Sequence, residues 1–235
     1  AKKIISKTQG IKIKFDSEMN DPKVFKLWQE GNTLGVFQFE SSGMIKFMKE
    51  LKPDNIEDII AGVSLYRPGP MDQIPRYIKG KRTGKLEYTH PSLEPILKIT
   101  YGCMVYQEQV MQIVRSLAGY SLAQADIMRR AMGKKKMDVM QKERDRFING
   151  QLDEDGNVLV KGAVRNGIDK KSANEIFDEM LEFAKYAFNK SHAAAYSVLS
   201  YQTAYLKAYY PREMLSATMN SYLGRWNEAL ILHCD

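Results

Sequence analysis

The sequence predicts a mainly α protein, a multi-helix unit with a small β-hairpin and short extended segments. Three observations carry that expectation. Apolar residues recur at three- and four-residue spacing along most of the chain. Capping signatures precede these runs, and Gly or Pro follows them. Strand-like runs are few and short.

Taken in order, residues 1–20 are basic, then mixed, and weakly patterned. Asp21-Pro22 opens a helix, with Asp as N-cap and Pro where no amide is needed. Val24, Leu27 and Trp28 form its apolar face, and Gly31 ends it. Leu34 to Phe39 reads as a strand or extended link. Ser41-Ser42 opens a helix through Ile45, Met48 and Leu51, which Pro53 stops. Asp54 with Glu57 caps the next, carrying Ile56, Ile59, Ile60 and Val63. Arg67-Pro68-Gly69-Pro70 then fixes an irregular turn, because proline locks φ and glycine reaches conformations other residues avoid. Residues 79–92 read as a polar loop.

Gln107 to Ala118 is a helix with Val110, Met111, Val114, Leu117 and Ala118 inward and Gly119 as its stop. Ser121 with Gln124 is a capping box. The helix it opens has Leu122, Ala125, Ile127 and Met128 on its apolar side, and Gly133 is placed to close it. A charged helix follows through Phe147. Asp153 to Asn157 turns a small hairpin into Val158-Leu159-Val160. The glycine there falls one position early for a calcium loop. Ser172 with Glu175 caps a helix with Ile176, Phe177, Met180, Leu181 and Ala184 inward. Tyr186 to His192 interrupts it, Ala193 to Tyr210 continues as a long helix, and Pro211 opens the last through Leu215, Met219 and Tyr222. The expectation is eight or nine helices.

Composition narrows the function. The 235 residues carry a net charge of +7 and a pI near 9.2, which suits a polyanionic partner. Cys103 and Cys234 are far apart with no CxxC, as expected of a reducing, cytoplasmic setting. No apolar run is long enough to span a bilayer, so no membrane partner is expected. The chain reads as a fragment of something larger. His90, His192 and His233 are dispersed, so no metal site is expected in the fragment. Neither GxxxxGK[ST] nor GxGxxG occurs, so a bound phosphate must be held by side chains.

The densest positive stretch is Met128-Arg129-Arg130-Ala131-Met132-Gly133-Lys134-Lys135-Lys136. From Arg129 to Arg146 eight basic residues stand against three acidic ones, a net +5. Cations near a helix C-terminus complement its dipole, at about 0.3–1 kcal/mol each. That accounts for one or two charges, not for an Arg pair followed by three lysines. Guanidinium pairs suit bidentate phosphate contacts, and lysines act as mobile point charges. A second stretch, Tyr186 to Tyr196, packs aromatics, Asn189, Lys190, Ser191 and His192 between helices. It reads either as contacts to base, sugar and phosphate or as core aromatics beside an ordinary half-buried histidine. Tyr201, Tyr205 and Tyr209 read as a packing stripe, and Arg67 as a loop residue.

Five segments in this order carry a resemblance: Gly35-Val-Phe-Gln-Phe-Glu-Ser-Ser-Gly43, Tyr66-Arg-Pro-Gly-Pro70, Tyr101-Gly102 with Tyr106-Gln-Glu-Gln-Val-Met111, Met128 to Lys136, and Phe188-Asn-Lys-Ser-His-Ala-Ala-Ala-Tyr196. They closely resemble successive motifs of the C family of DNA polymerases, the bacterial replicative DNA polymerase III alpha subunits. The likeness runs from about Asp21 to Tyr222. It implies the helical fingers domain over residues 21–235, with residues 1–20 leading in from the palm and the hairpin near 153–160 as an insertion. It implies that Arg129, Arg130, Lys134, Lys135 and Lys136 face the triphosphate of an incoming dNTP. Tyr186, Asn189, Lys190, Ser191 and His192 would line the sugar and nascent-pair pocket, with Arg67 a further nucleotide or DNA contact. It implies Mg²⁺ held by palm aspartates outside this chain, no catalytic residue within it, and primed DNA template, dNTP and other replisome subunits as partners. The rival reading is a non-catalytic helical module that binds nucleic acid through a general basic face.

Overall fold

The structure is a computed structural model that describes residues 1–15, 17–134 and 137–222. Twelve α-helices dominate them: α1 (Lys2–Gln9), α2 (Pro22–Glu30), α3 (Ser42–Leu51), α4 (Ile56–Leu65), α5 (Ile74–Thr83), α6 (Glu94–Leu97), α7 (Gln107–Ala118), α8 (Leu122–Gly133), α9 (Met137–Asn149), α10 (Lys170–Ala184), α11 (Lys190–Tyr209) and α12 (Pro211–Ser221). Strands β1 (Gln151–Leu152) and β2 (Val158–Val160) pair antiparallel, with Gln151 opposite Val160 and Leu152 opposite Val158. The mainly α expectation with one small hairpin is met. The helices outnumber the eight or nine expected because α1, α5 and α6 were not legible. The chain forms two compact units, Ala1–Val63 with His192–Asp235, and Ser64–Ser191.

In the first unit α2 begins as expected. The Asp21 carboxylate accepts from the Lys23 amide at 2.8 Å, and Gly31, at φ 77°, closes the helix. Trp28 is wholly buried among Phe25, Phe39 and Tyr201, with ring centroids 5.8, 5.6 and 6.5 Å away. The Tyr201 hydroxyl accepts from the Asp21 amide at 2.9 Å, and the Tyr209 hydroxyl donates to its carboxylate at 2.7 Å. The tyrosine stripe therefore packs and also fixes the α2 cap. Ser41 caps α3 through the Met44 amide at 3.3 Å.

Three expectations fail here. Leu34 to Phe39 is not a strand but a succession of turns. Gly35 and Gln38 hold positive φ, 77° and 68°, which no extended segment allows. The Thr33 hydroxyl closes the segment by donating to the Phe39 carbonyl at 2.6 Å, and Val36 and Phe39 are buried as its anchors. The α4 cap is shifted by one residue: Asn55 Oδ1 accepts from the Asp58 amide at 3.0 Å, and Asp58 Oδ2 accepts from the Asp54 amide at 3.2 Å. Residues 2–9, weakly patterned, form α1 because Ile5 is buried against Leu206, while Gln9 Nε2 donates to Glu213 at 2.6 Å.

The second unit is built on a core that joins α6 to α10. Val110, Ile113, Val114 and Leu117 of α7 pack with Ala125, Met128 and Ala131 of α8, Phe147 and Ile148 of α9, and Ile176, Phe177 and Met180 of α10. The capping box forms as read, with Ser121 Oγ accepting from the Gln124 amide at 3.2 Å and Gln124 Oε1 from the Ser121 amide at 2.7 Å. Leu122 and Ile127, expected inward, are exposed (60% and 55%), because the buried face of α8 is made by Ala125, Met128 and Ala131. Residues 79–83 belong to α5 rather than a loop. Gly80 allows that helix to touch the Tyr101 backbone, where a Cβ would stand 2.8 Å from the carbonyl oxygen. The α10 cap is Asp169, not Ser172, and accepts from the Ser172 amide at 2.9 Å. Tyr120 donates to Glu143 at 2.9 Å, and Glu143 also meets Arg146 at 3.3 Å.

Candidate functional site

The basic element lies at the end of α8, whose inward face is pinned to α7 through Met128 and Ala131. Arg129 and Arg130 sit three and four positions after Asp126, so all three side chains share one helix face. Arg129 Nε donates to Asp126 Oδ1 at 2.8 Å, and Arg130 Nε contacts Asp126 Oδ2 at 2.7 Å. The Arg129 hydrogen bond, then its charge and that of Arg130, holds the Asp126 carboxyl below its ordinary range. Among the described residues, the terminal nitrogens of both guanidiniums have no partner. Lys134 is exposed, while Lys135 and Lys136 lie outside the described residues. The positive stretch is not a uniform solvated face. Arg144 is bound by Asp178 and Asn174, and Arg146 by Glu143.

A second cluster in the same unit unites three of the quoted motifs. Phe188 pairs with Tyr106 in an isolated parallel bridge, and its carbonyl accepts from the Gln107 amide at 2.9 Å. Glu108, in the first turn of α7, accepts from Asn189 Nδ2 at 3.0 Å and from the Lys190 amide at 3.0 Å. The Lys190 ammonium stands 5.3 Å from the centre of the Tyr106 ring. The Arg67 guanidinium carbon stands over Phe188, 3.8 Å from the ring centre, and the side chain donates to the carbonyls of Ser64 at 3.0 Å and Tyr186 at 3.3 Å. No carboxylate pairs with Arg67 among the described residues, and burial pulls its pKa down. The turn fits because Gly69, at φ 100°, lies against Tyr186, where a Cβ would be 2.9 Å from the ring. Tyr186 donates to Glu182 at 2.9 Å, and burial, with that bond, pushes its phenol up to about 12.

Tyr186 lines a cavity of about 100 Å³ with Arg76 and Glu182. That is below the roughly 300 Å³ of an ordinary ligand pocket. Ser191 is exposed. In the first unit His192 is exposed and tilted over Tyr196, centroids 4.4 Å apart, and Tyr196 in turn meets Phe37 at 5.4 Å. Among the described residues no group of three or more His, Cys, Asp or Glu side chains fits a metal ion. No helix there is long and apolar enough to cross a membrane.

Sequence reasoning missed Asp126 and Glu108. The first had a signal, an acid three and four residues ahead of two arginines. The second had none, because its partners lie 81 and 82 positions away.

A helical unit with a guanidinium pair at one helix end defines a class of basic, mainly α-helical domains. The description bacterial DNA polymerase III alpha subunit finger domain matches residues 1–155. The chain is 49% identical over 227 residues to DNA polymerase III subunit alpha of Thermus aquaticus, covering 94% of this chain and 18% of that protein. It is 52% identical over 222 residues to the Chlamydia muridarum protein of the same name, covering 93% and 17%. For the Rickettsia prowazekii protein, also so named, the identity is 50% over 224 residues, covering 94% and 18%. The chain belongs to the bacterial DNA polymerase III alpha subunit finger domain family. It spans less than a fifth of the length of these relatives.

Proposed function

We propose that the chain is the fingers portion of a bacterial replicative DNA-directed DNA polymerase, with residues 1–20 leading into residues 21–235. It positions an incoming dNTP and the nascent base pair on a primed template. The observation that carries this reading is the guanidinium pair on α8, gathered on one carboxylate with its terminal nitrogens unpartnered among the described residues. Each terminal fork matches two phosphate oxygens, and each hydrogen bond to a charged group contributes about 1.5–3 kcal/mol. Lys134, with Lys135 and Lys136, extends the positive field toward the triphosphate or template.

Tyr186, Asn189, Lys190, Ser191 and His192 take the sugar and nascent pair. Glu108 supports this role by fixing where α11 begins. Arg67 serves a phosphate of nucleotide or DNA, and its half-buried charge with no carboxylate among the described residues supports that role. The described residues offer no metal site. The Mg²⁺ ions of the reaction are left to carboxylates elsewhere in the longer polymerase. Other replisome subunits are reached through that longer protein.

The test is steady-state primer extension by the polymerase that contains this chain. Arg129→Ala is expected to raise the dNTP KM or lower turnover by about tenfold or more. Unchanged kinetics would remove the triphosphate role. His192→Ala is expected to alter discrimination between ribo- and deoxyribonucleotides, and parental selectivity counts against the sugar pocket.

A further inference from the structure

We propose that Asp126 is a positioning residue that arms the guanidinium pair: it holds Arg129 and Arg130 by their Nε edges and leaves their terminal forks open to the phosphates of a nucleoside triphosphate. The inference rests on the triphosphate reading given above and adds a residue that reading lacks.

The geometry distinguishes an orienting carboxylate from a merely neutralising one. A guanidinium offers two bidentate edges, and a carboxylate paired with one arginine normally takes a whole edge with both oxygens. Asp126 does not. It gives one oxygen to each arginine, at 2.8 and 2.7 Å, and in both cases the contact is to Nε. The spacing makes this possible. Positions three and four ahead on a helix are the two nearest neighbours on one face. A single acid at this position can therefore collect two adjacent arginines. The carboxylate also offsets the repulsion of two neighbouring cations and leaves the trio with a net positive charge. Exposure is graded in the sense expected of such a device. Asp126 and Arg129 are about equally covered, at 28% and 32% side-chain exposure, and Arg130 reaches out at 69%. The carboxyl, held low by these partners, stays charged. A surface ion pair by itself contributes little. Its consequence here is orientation: long side chains that would otherwise sample many rotamers are collected before the ligand arrives.

The test compares Asp126→Asn and Asp126→Glu in the full-length polymerase, by dNTP KM, kcat and primed-DNA Kd. Asp126→Asn is expected to raise the dNTP KM about tenfold, with a smaller change in kcat and unchanged DNA affinity. Asp126→Glu, which keeps the charge, is expected to stay within about threefold of the parent. A lower or unchanged KM in Asp126→Asn overturns the proposal, since a competitor of phosphate would give the first and a bystander the second. A Glu variant as impaired as the Asn variant also overturns it. The third arm places Asp126→Asn on an Arg129→Ala/Arg130→Ala background. No further loss there supports action through the arginines, and an added loss of the same size shows a merely structural role. The background alone reports on the parent reading. If it leaves dNTP KM unchanged, the triphosphate assignment fails before Asp126 is at issue.

Discussion

Glu108→Ala is expected to loosen the start of α11. The carboxylate accepts from the Lys190 amide and from Asn189 Nδ2, both at 3.0 Å, in a half-buried setting. The Lys190 amide belongs to the first turn of α11, where no carbonyl of the helix can receive it. A carboxylate there is a cap and also lies at the positive end of the helix dipole. Losing a charge-assisted bond of this kind costs about 1.5–3 kcal/mol. At about 1.4 kcal/mol per factor of ten, the first turn of α11 opens roughly ten- to a hundredfold more often. Hydrogen–deuterium exchange of peptides across 186–196, in the longer protein containing this chain, reads that opening directly. Exchange elsewhere in α7 is expected to be unchanged. Glu108→Gln keeps an acceptor without the charge and is expected to lose less than Glu108→Ala. Equal protection of 186–196 in Glu108→Ala and the parent would refute the latch.

Three further outcomes follow from the packing, each read as protection of local amides. Gly80→Ala gains about 0.5–1 kcal/mol of helix propensity but drives a Cβ to 2.8 Å from Tyr101, whose backbone cannot yield; overpacking of about 1–3 kcal/mol wins, and α5 loses protection. Tyr120→Phe costs about 0.5–1.5 kcal/mol by leaving Glu143 short of a donor. Burial raises the Tyr120 pKa above 10.0, so that group's contribution is present below pH 10 and falls as pH rises further; Tyr120→Phe abolishes that alkaline dependence. Asp169→Ala removes the α10 cap, and the first turn of α10 loses protection. The Ser172 side chain holds the Asp169 carboxyl below 3.8, so its contribution is full above that value and is lost as pH falls through the folded pKa, whereas Asp169→Asn keeps a cap that acid does not remove.

The elements read correctly in advance share a property: their decisive contacts span four residues or fewer. Asp21 to Lys23, Ser41 to Met44 and the Ser121–Gln124 box are local bonds between a side chain and a nearby amide. The differences have two sources, a nearer competing cap or another element that overrules the local pattern. Residues 79–92 read as a polar loop, yet Gly80 marks a helix pressed onto Tyr101. Ser172 looked like a cap, but Asp169 three residues earlier offered a carboxylate. The weakly patterned residues 2–9 became helical because Ile5 is covered by Leu206, about two hundred positions on in sequence terms.

By itself the sequence determined the helical class, most caps and stops, the concentration of positive charge between Arg129 and Arg146, and the family likeness of five ordered motifs. Only the tertiary structure decided which charges are spent on the protein. Arg144 and Arg146 are taken by Asp178 and Glu143, while Arg67 rests on Phe188 and reaches the Tyr186 carbonyl 119 positions away. The Glu108 latch on Asn189 and Lys190 is of the same kind. A cap is a bond between neighbours along the chain and is written in a few letters. A contact between distant segments forms only when the packing of the apolar core brings both ends to one place, and no local run of residues encodes that.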